Sequence, residues 1–514
     1  MLELQNHPDA PCGTDDDRVD LLDPFTVASF ETLEQQLRPF AHMALETLAD
    51  TNLRTRPTCT VANIAKHFTG ELPLHGESLS GLAERLATTV TPFGRNKRSP
   101  RYFAQMDVPP SQLSVFAGLV IRAIAQDPIA FSSSRSGTFV EKQLTQWLST
   151  LIYGAQPLAG GVMTTGGSQS NLQALLLLRN AAFARRGIDV SALGLADAVT
   201  TLGGGGLVLL ASERAHESIL SAARFIGLGD RSVTAIKVRA DEALDLDALH
   251  AALLVARGKG QTVMALAMTA CTTGSGAIDP LREAALLARE FNVPVHVDAA
   301  HGGMFLFSPT HARLLDGIEL ATTVTLDPHK ILGVNQALGF LAVSDTALLE
   351  HSGKVGIGYY VPGGEPDLGR WSLDNSRSLE SLSGWLMLRA LGRSGYARIV
   401  DHFMVLTEAF CAGLEQSDDS FELLRAPTSN VVAFRSVRQP GETAAAQNAR
   451  NEAILRHVLA EGAVSISWYE ASHERKFLRA VFVNPASGLS DVQALVAELS
   501  RAARLFAPAL QRHQ

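Results

Sequence analysis

Five short apolar runs lie in the middle of the chain: GLVLLAS (206–212), TVMALAMTA (262–270), VPVHVDAA (293–300), TTVTL (322–326) and GFLAVS (339–344). Each has the length of a strand and is rich in Val, Leu and Ala, as strands buried on both faces are. Amphipathic helical segments at 169–186, 214–226, 246–257 and 280–291 separate several of them. This alternation predicts a mostly parallel sheet covered by helices on both faces. Ligands in such sheets bind at the carboxyl ends of the strands, where the loops begin.

The flanks read differently. Residues 1–20 look like a loosely attached arm, and helical spacing runs through 24–50, 110–126 and 139–153. Residues 351–375 contain GYYVPGGEPDLGRW, too rich in Gly and Pro for a regular element. Beyond them come a helix at 378–395, strand-like SNVVAFRSV (429–437), a helix at 448–462, strand-like FLRAVFVNP (477–485) and a helix at 490–506. The expected organisation is an arm at 1–20, a helical segment at 21–125, a large domain at 126–396 and a small α+β domain at 397–514.

Of 514 residues, 46% are apolar and 19% charged, which excludes wholesale disorder. The net charge of −8 carries no basic stripe, so nucleic acid is not the expected partner. No apolar stretch is long enough to span a bilayer, and no membrane partner is expected. The start, MLELQNHPDAPCGTDDDRVD, lacks the basic residues and apolar run of a secretory leader. Cys12, Cys59, Cys271 and Cys411 are too scattered for a disulfide framework or a zinc ribbon. A reduced, cytoplasmic setting is expected.

Three stretches carry chemistry, each at or just after a strand end. In VMTTGGSQSNLQALLLLRN (162–180), Gly166 and Gly167 permit a tight turn, and Ser168, Gln169 and Ser170 supply donors as a helix begins. Free N–H groups and the helix dipole suit an anion there, most naturally a phosphate. An ordinary capped helix would look the same. In VPVHVDAAHGG (293–303), Asp298 follows buried strand residues and needs a positive partner. Turn capping is one alternative, and a metal held by His296, Asp298 and His301 is another. In TLDPHKILGV (325–334), Lys330 follows a buried strand, where partial desolvation lowers a lysine's pKa and lets it form a Schiff base. The plain alternative is a surface lysine.

A phosphate cradle, a buried carboxylate and a Schiff-base lysine are together the parts of a pyridoxal phosphate site. An acid there keeps the pyridinium nitrogen protonated. His216, in ASERAHESIL after the 206–212 strand, is placed to cover the ring.

The ordered set TTGGSQSN, AHES, TACTTGSGAIDP, HVDAAHGG and DPHK resembles the group II pyridoxal-phosphate amino-acid decarboxylases. That family includes the glutamate, aromatic amino acid, cysteine sulfinate and 2,4-diaminobutyrate enzymes. The resemblance runs from about Arg101 to Pro485 and implies an α/β fold of the aspartate aminotransferase type (fold type I). It also implies roles. Lys330 matches the lysine that carries the cofactor, with His329 before it. Asp298 matches the partner of the pyridinium nitrogen, Ala300 the residue under the ring, and His216 the histidine stacked on it. Gly167, Ser168 and Gln169 match the phosphate turn, and Thr273 and Asp327 lie close to the cofactor. Tyr359 falls where a mobile loop carries the tyrosine that protonates Cα after carbon dioxide leaves. The composition of 351–375 suits such a lid. The resemblance further implies a homodimer with each site completed by the partner's loop.

Some positions depart from the family pattern. Cys271 stands where Gly is usual, and His301 where Tyr, Trp or Cys is common. Arg135 stands where several relatives have Pro. Tyr102 and Phe103 are expected at the substrate entrance or in core packing, and Arg377 is expected near the cofactor phosphate. The expected substrate is L-2,4-diaminobutyrate or another small polar aliphatic amino acid. An acidic amino acid comes second, and oxidative deamination to an aldehyde on the same scaffold third.

Overall fold

The computed structural model describes residues 30–50, 52–57, 59–352, 364–365, 367–417, 420–472 and 474–507. They form two compact units. The first takes residues up to 52 and 56–95, and its longest helices are Phe30–Ala49 and Leu79–Thr89. The second takes 53–55 and everything from 96 onward, so 96–125 belongs with the cofactor-binding body. Tyr359 lies outside the described residues, as do the rest of 353–363 and residue 366.

The second unit is built on a seven-stranded sheet. Its strands are β1 (Gly160–Thr164), β2 (Leu207–Ser212), β3 (Val233–Ile236), β4 (Thr262–Thr269), β5 (Val295–Asp298), β6 (Thr323–Leu326) and β7 (Gly339–Val343), in the order β1-β7-β6-β5-β4-β2-β3. The pairs β3–β2, β2–β4, β4–β5 and β5–β6 are parallel. β7 runs against both its neighbours, β6 and β1. The sheet is therefore mostly parallel, as the apolar runs predict. β2, β5, β6 and β7 are buried along their whole length, which requires cover on both faces. The helix Gly167–Ala184 gives part of that cover; Leu175, Leu178 and Phe183 pack with β2 and β4 residues.

A second sheet lies in the C-terminal part. β8 (Phe421–Leu423), β9 (Val431–Ser436), β10 (Ser467–Ser472) and β11 (Arg475–Val481) form the antiparallel order β10-β11-β9-β8. Helices Ala444–Glu461 and Leu489–Leu505 pack on it around Phe410, Phe434 and Phe482. These elements lie within 397–514 and belong to the second unit. The helix Ser381–Glu415 runs into their core, with a break at Gly392 (φ 62°).

The parallel strands all end on one side. The residues that follow β1, β2, β4, β5 and β6 therefore meet at one edge, and β7 begins there. Gly339 lets the first of these turns approach. A Cβ at Gly339 would sit 2.5 Å from the Gly166 Cα, closer than real Cβ atoms come.

Candidate active site

A cavity of about 440 Å3 opens at that edge. This is within the usual range for a small-molecule site. Gly167, Ser168, Gln169, His216, Thr273, Asp298, Ala300, Asp327, His329 and Lys330 all line it, so the structure brings together every expected cofactor contact.

Each wall follows from its element. The helix Gly167–Ala184 starts at the cavity with Gly166 as its N-cap, which has no side chain to satisfy the first N–H groups. Those groups are left for an anion. A Cβ at Gly167 would press within 2.9 Å of Asp327 Oδ2 and 3.1 Å of Ala300 Cβ, so glycine keeps this floor open. Ser168 and Gln169 follow, though the Gln169 side chain turns to Asp374 Oδ1 (2.9 Å) and Thr165 N–H (2.6 Å).

Asp298 ends β5. It is buried and accepts from Asn171 Nδ2 (2.7 Å) and the Ala300 N–H (3.1 Å). His216 caps the helix Glu217–Phe225, its Nδ1 accepting from the Ser218 N–H. Lys330 lies on the turn after β6, its Nζ 2.8 Å from Asp327 Oδ2. Burial lowers the lysine pKa, but Asp327, then Asp298 and Asp107, outweigh it, and the net shift is upward. The sequence expectation of a lowered pKa is corrected here, because desolvation counts for less than three carboxylates. His329 donates from Nδ1 to the Leu338 carbonyl (2.8 Å), which leaves Nε2 as a proton acceptor, 3.7 Å from Asp327 Oδ2.

The substrate-side expectations fare differently. Tyr102 and Phe103 are buried where their strand-like segment joins the C-terminal domain. Phe103 N–H donates to Ser465 O, and its ring packs on Phe482. Core packing, the alternative weighed for both, is where they sit. Arg135 opens the helix Arg135–Tyr153, is exposed, and does not line the cavity. Arg377 does not line the cavity either. It forms a buried pair with Glu141, through Nη1 to Oε2 (2.7 Å) and Nη2 to Oε1. A buried guanidinium takes the nearest carboxylate, and Glu141 is that carboxylate.

Two of the three departures from the pattern, Cys271 and His301, line the cavity. Cys271 has φ 75°, the left-handed region where glycine is at ease, which accounts for glycine as the usual residue. Its thiol is buried and pushed up to about 11, mainly by that burial, so it stays protonated as a small apolar filler. His301 donates from Nε2 to Asn430 Oδ1 (3.0 Å), since the Asn430 amide nitrogen is committed to the Phe482 carbonyl. Both ring nitrogens of His296 are engaged, with Thr323 Oγ1 at 2.9 Å and Asn171 Oδ1 at 3.0 Å.

Sequence reasoning passed over Arg479, on β11. It is buried, has no carboxylate partner among the described residues, and its charge reaches Cys271 and His301. Its Nη1 donates to Ala104 O and Ser467 Oγ, and its Nε has no partner. A lone Arg inside the apolar run FLRAVFVNP was the available signal.

The two histidines predict a pH dependence of stability. Burial lowers His301 to about 3, helped by Lys330 and Arg479, and lowers His296 to about 4 against the pull of Asp298. Both folded values lie below the unfolded value of about 6.5. Their contribution is complete above about pH 6.5 and is lost as the pH falls, at up to about 1.4 kcal/mol per unit for each histidine. Urea unfolding at pH 7.5 and pH 5 checks this. His301→Gln is expected to lose about 2 kcal/mol less than wild type between those pH values. Equal losses would contradict it.

The residues present fit pyridoxal phosphate. Uncapped N–H groups face the phosphate end, a carboxylate suits the ring nitrogen, and a lysine amine suits the carbonyl. Thr269 Oγ1, His301 Nδ1 and Asp327 Oδ1, all on lining residues, are buried without partners, so the cavity is dressed for a polar guest.

Comparison with known proteins agrees. The model of the pyridoxal-dependent decarboxylase conserved domain matches residues 63–437. L-2,4-diaminobutyrate decarboxylase of Acinetobacter baumannii is 28% identical over 408 residues, covering 78% of this chain and 79% of that protein. Aspartate 1-decarboxylase of Aliivibrio fischeri is 30% identical over 394 residues, covering 73% and 71%. Among solved structures, apo mouse CSAD superposes with a TM-score of 0.84 at 25% identity, covering 92% of this chain and 99% of that one.

Proposed function

The chain belongs to the pyridoxal-dependent decarboxylases, and on that premise we propose that its substrate is L-2,4-diaminobutyrate or another small aliphatic amino acid with a polar, non-acidic side chain. The enzyme is a pyridoxal-phosphate-dependent carboxy-lyase: the amino acid loses carbon dioxide and leaves as the amine. When bound, the cofactor supplies a sink for the electron pair of the breaking Cα–carboxylate bond.

The chain's own residues bind, orient and move protons. Asp298, aimed by two donors, holds the ring nitrogen's proton. The Gly167–Gln169 turn anchors the phosphate. Lys330 would hold the cofactor through its amine, and His329 Nε2, which shares the Asp327 carboxylate with Lys330 Nζ, would be placed to take a proton. Tyr359 is proposed as the donor to Cα.

The choice of side chain rests on charge. The described lining carries Asp298 and Asp327 against one cation, Lys330. A second carboxylate on the substrate would enter an already acidic cavity, whereas an ammonium or hydroxyl group would not. Arg479 favours the alternative reading. Its unpaired charge behind Cys271 and His301 would suit a carboxylate, and aspartate would bring two. We assign that charge to the α-carboxylate.

A panel of amino acids tests both readings by trapped carbon dioxide and amine. Diaminobutyrate is expected to give the highest kcat/KM. Arg479→Gln is expected to raise KM for every substrate about tenfold, or ~1.4 kcal/mol. If aspartate or cysteine sulfinate leads the panel, the acidic reading replaces this one.

A homodimer and a reduced, cytoplasmic setting complete the proposal. An exposed apolar stripe on the helix Gln112–Ile124 (Leu113, Phe116, Val120, Ile124) supports the first. Free Cys59, Cys271 and Cys411 support the second. Among the described residues no helix is long and apolar enough to cross a membrane.

A further inference from the structure

We propose that Asn171 is a positioning residue of the decarboxylation site, its one side-chain amide holding Asp298 directly and His216 through Ser218. Asn171 lies in the first turns of the helix Gly167–Ala184 and is fully buried. A primary amide has two N–H donors and room for two donors on its oxygen. All four places are taken here.

The arrangement has one solution. The Asp298 carboxylate only accepts, so the atom 2.7 Å from its Oδ2 is the amide nitrogen. The amide oxygen then faces the other way. It receives the Thr325 hydroxyl at 2.7 Å and His296 Nε2 at 3.0 Å, which puts the His296 proton on Nε2. The remaining His296 nitrogen accepts the Thr323 hydroxyl at 2.9 Å. The second amide N–H goes to Ser218 Oγ at 2.8 Å. Ser218 has a single hydroxyl proton and gives it to His216 Nδ1, 2.8 Å away. The Ser218 backbone N–H meets the same nitrogen at 3.2 Å. Nδ1 of His216 is thus an acceptor twice over, and its ring proton resides on Nε2.

Two groups on opposite strands of the same cavity therefore answer to one amide. Asp298 ends β5 and His216 follows β2, with β4 between them in the sheet. Removing the Asn171 amide takes a donor from Asp298. It also leaves the Ser218 hydroxyl without the donor that aims it, so the stronger of His216's two anchors is loosened. A residue that only filled space would affect neither.

Nitrogen-15 NMR of the histidine rings in the full-length, cofactor-free protein gives a reading independent of turnover. In wild type, His216 is expected to carry its proton on Nε2, with a strongly hydrogen-bonded Nδ1. In Asn171→Ala, the Nδ1 resonance is expected to move towards that of an unbonded imidazole nitrogen.

With cofactor loaded, Asn171→Ala is expected to lower kcat roughly 30-fold while KM stays within about threefold. Ser218→Ala is expected to lower kcat less. The double variant should fall little below Asn171→Ala, because both act on one chain of bonds. A wild-type His216 protonated on Nδ1 would overturn the proposal, and that measurement needs no variant to fold. So would an unmoved Nδ1 resonance in Asn171→Ala, or kcat losses that multiply in the double variant.

Discussion

Lys330→Ala is expected to lower amine formation at least ~1,000-fold and to abolish covalent attachment of the cofactor, read as loss of its visible absorbance band. The amine is the one primary amine in the described lining of the cavity, and nothing else there can make that bond. The same substitution has a second effect. Asp327 is almost wholly buried, and Lys330 Nζ is its ion-pair partner at 2.8 Å. Without it a buried carboxylate is left with only His329 nearby, so the alanine variant is also expected to be less stable. Lys330→Arg separates the two roles. It restores a positive charge beside Asp327 but supplies no usable nucleophile, since a guanidinium stays protonated. Stability close to wild type with activity as low as the alanine variant is the expected result. Turnover by the arginine variant within tenfold of wild type would remove Lys330 from the chemistry.

The largest expected effect on folding lies away from the cavity, at the Arg377–Glu141 pair. Side-chain exposures are 10% for Arg377 and 2% for Glu141, so water screens little of the charge. Burial alone would lower the Arg377 pKa, yet it is raised, because Glu141, joined by Asp374 and Asp127, more than offsets the desolvation. Glu141→Ala leaves a charged guanidinium buried without its hydrogen-bonded carboxylate, with only the longer-range Asp374 and Asp127 charges to offset the burial. That loss is expected to cost about 3–5 kcal/mol, a large part of the ~5–15 kcal/mol that usually holds a domain folded. The double change Glu141→Leu with Arg377→Met removes both charges and is expected to recover most of it. Urea unfolding of the three proteins decides. If Glu141→Ala unfolds within 1 kcal/mol of wild type, the pair carries no weight in folding, by the ~1 kcal/mol ceiling of an exposed pair.

Much of this was legible in the sequence. β2, β4, β5, β6 and β7 appear as apolar runs because burial on both faces leaves no polar position. Most cofactor contacts were legible for a related reason: apart from the Gly167–Gln169 turn, each lies in or just after such a run, and parallel strands deliver their ends to one edge. β1 was not legible, since GGVMT begins with two glycines. β3, β8 and β10 are partly exposed, so their composition carries little strand signal. The reversed direction of β7 has no local signature, because strand polarity is decided by pairing. Arg377 and Arg479 show the limit most clearly. Only the fold reveals that one is neutralised by Glu141 while the other, set in an apolar run, meets no carboxylate among the described residues. Tyr102 and Phe103 read as aromatic and near the site, but pairing of their segment with Ser465 buries both and places Phe103 in the C-terminal core.

The placement of β1 bears on how the protein is made. β1 sits at the edge of the sheet, and among the described residues its strand partner is β7, with Gly160 opposite Val343. Those residues are about 180 positions apart, and ribosomes add ~5–20 residues per second. For roughly ten seconds or more the emerging chain has β1 without its partner and the phosphate turn after Thr164 without its backing. Lys330 is translated only just before β7. The cofactor therefore meets no complete site on a nascent chain until that last strand has left the exit tunnel, and chains stalled earlier expose an apolar edge to quality control rather than a partly working enzyme.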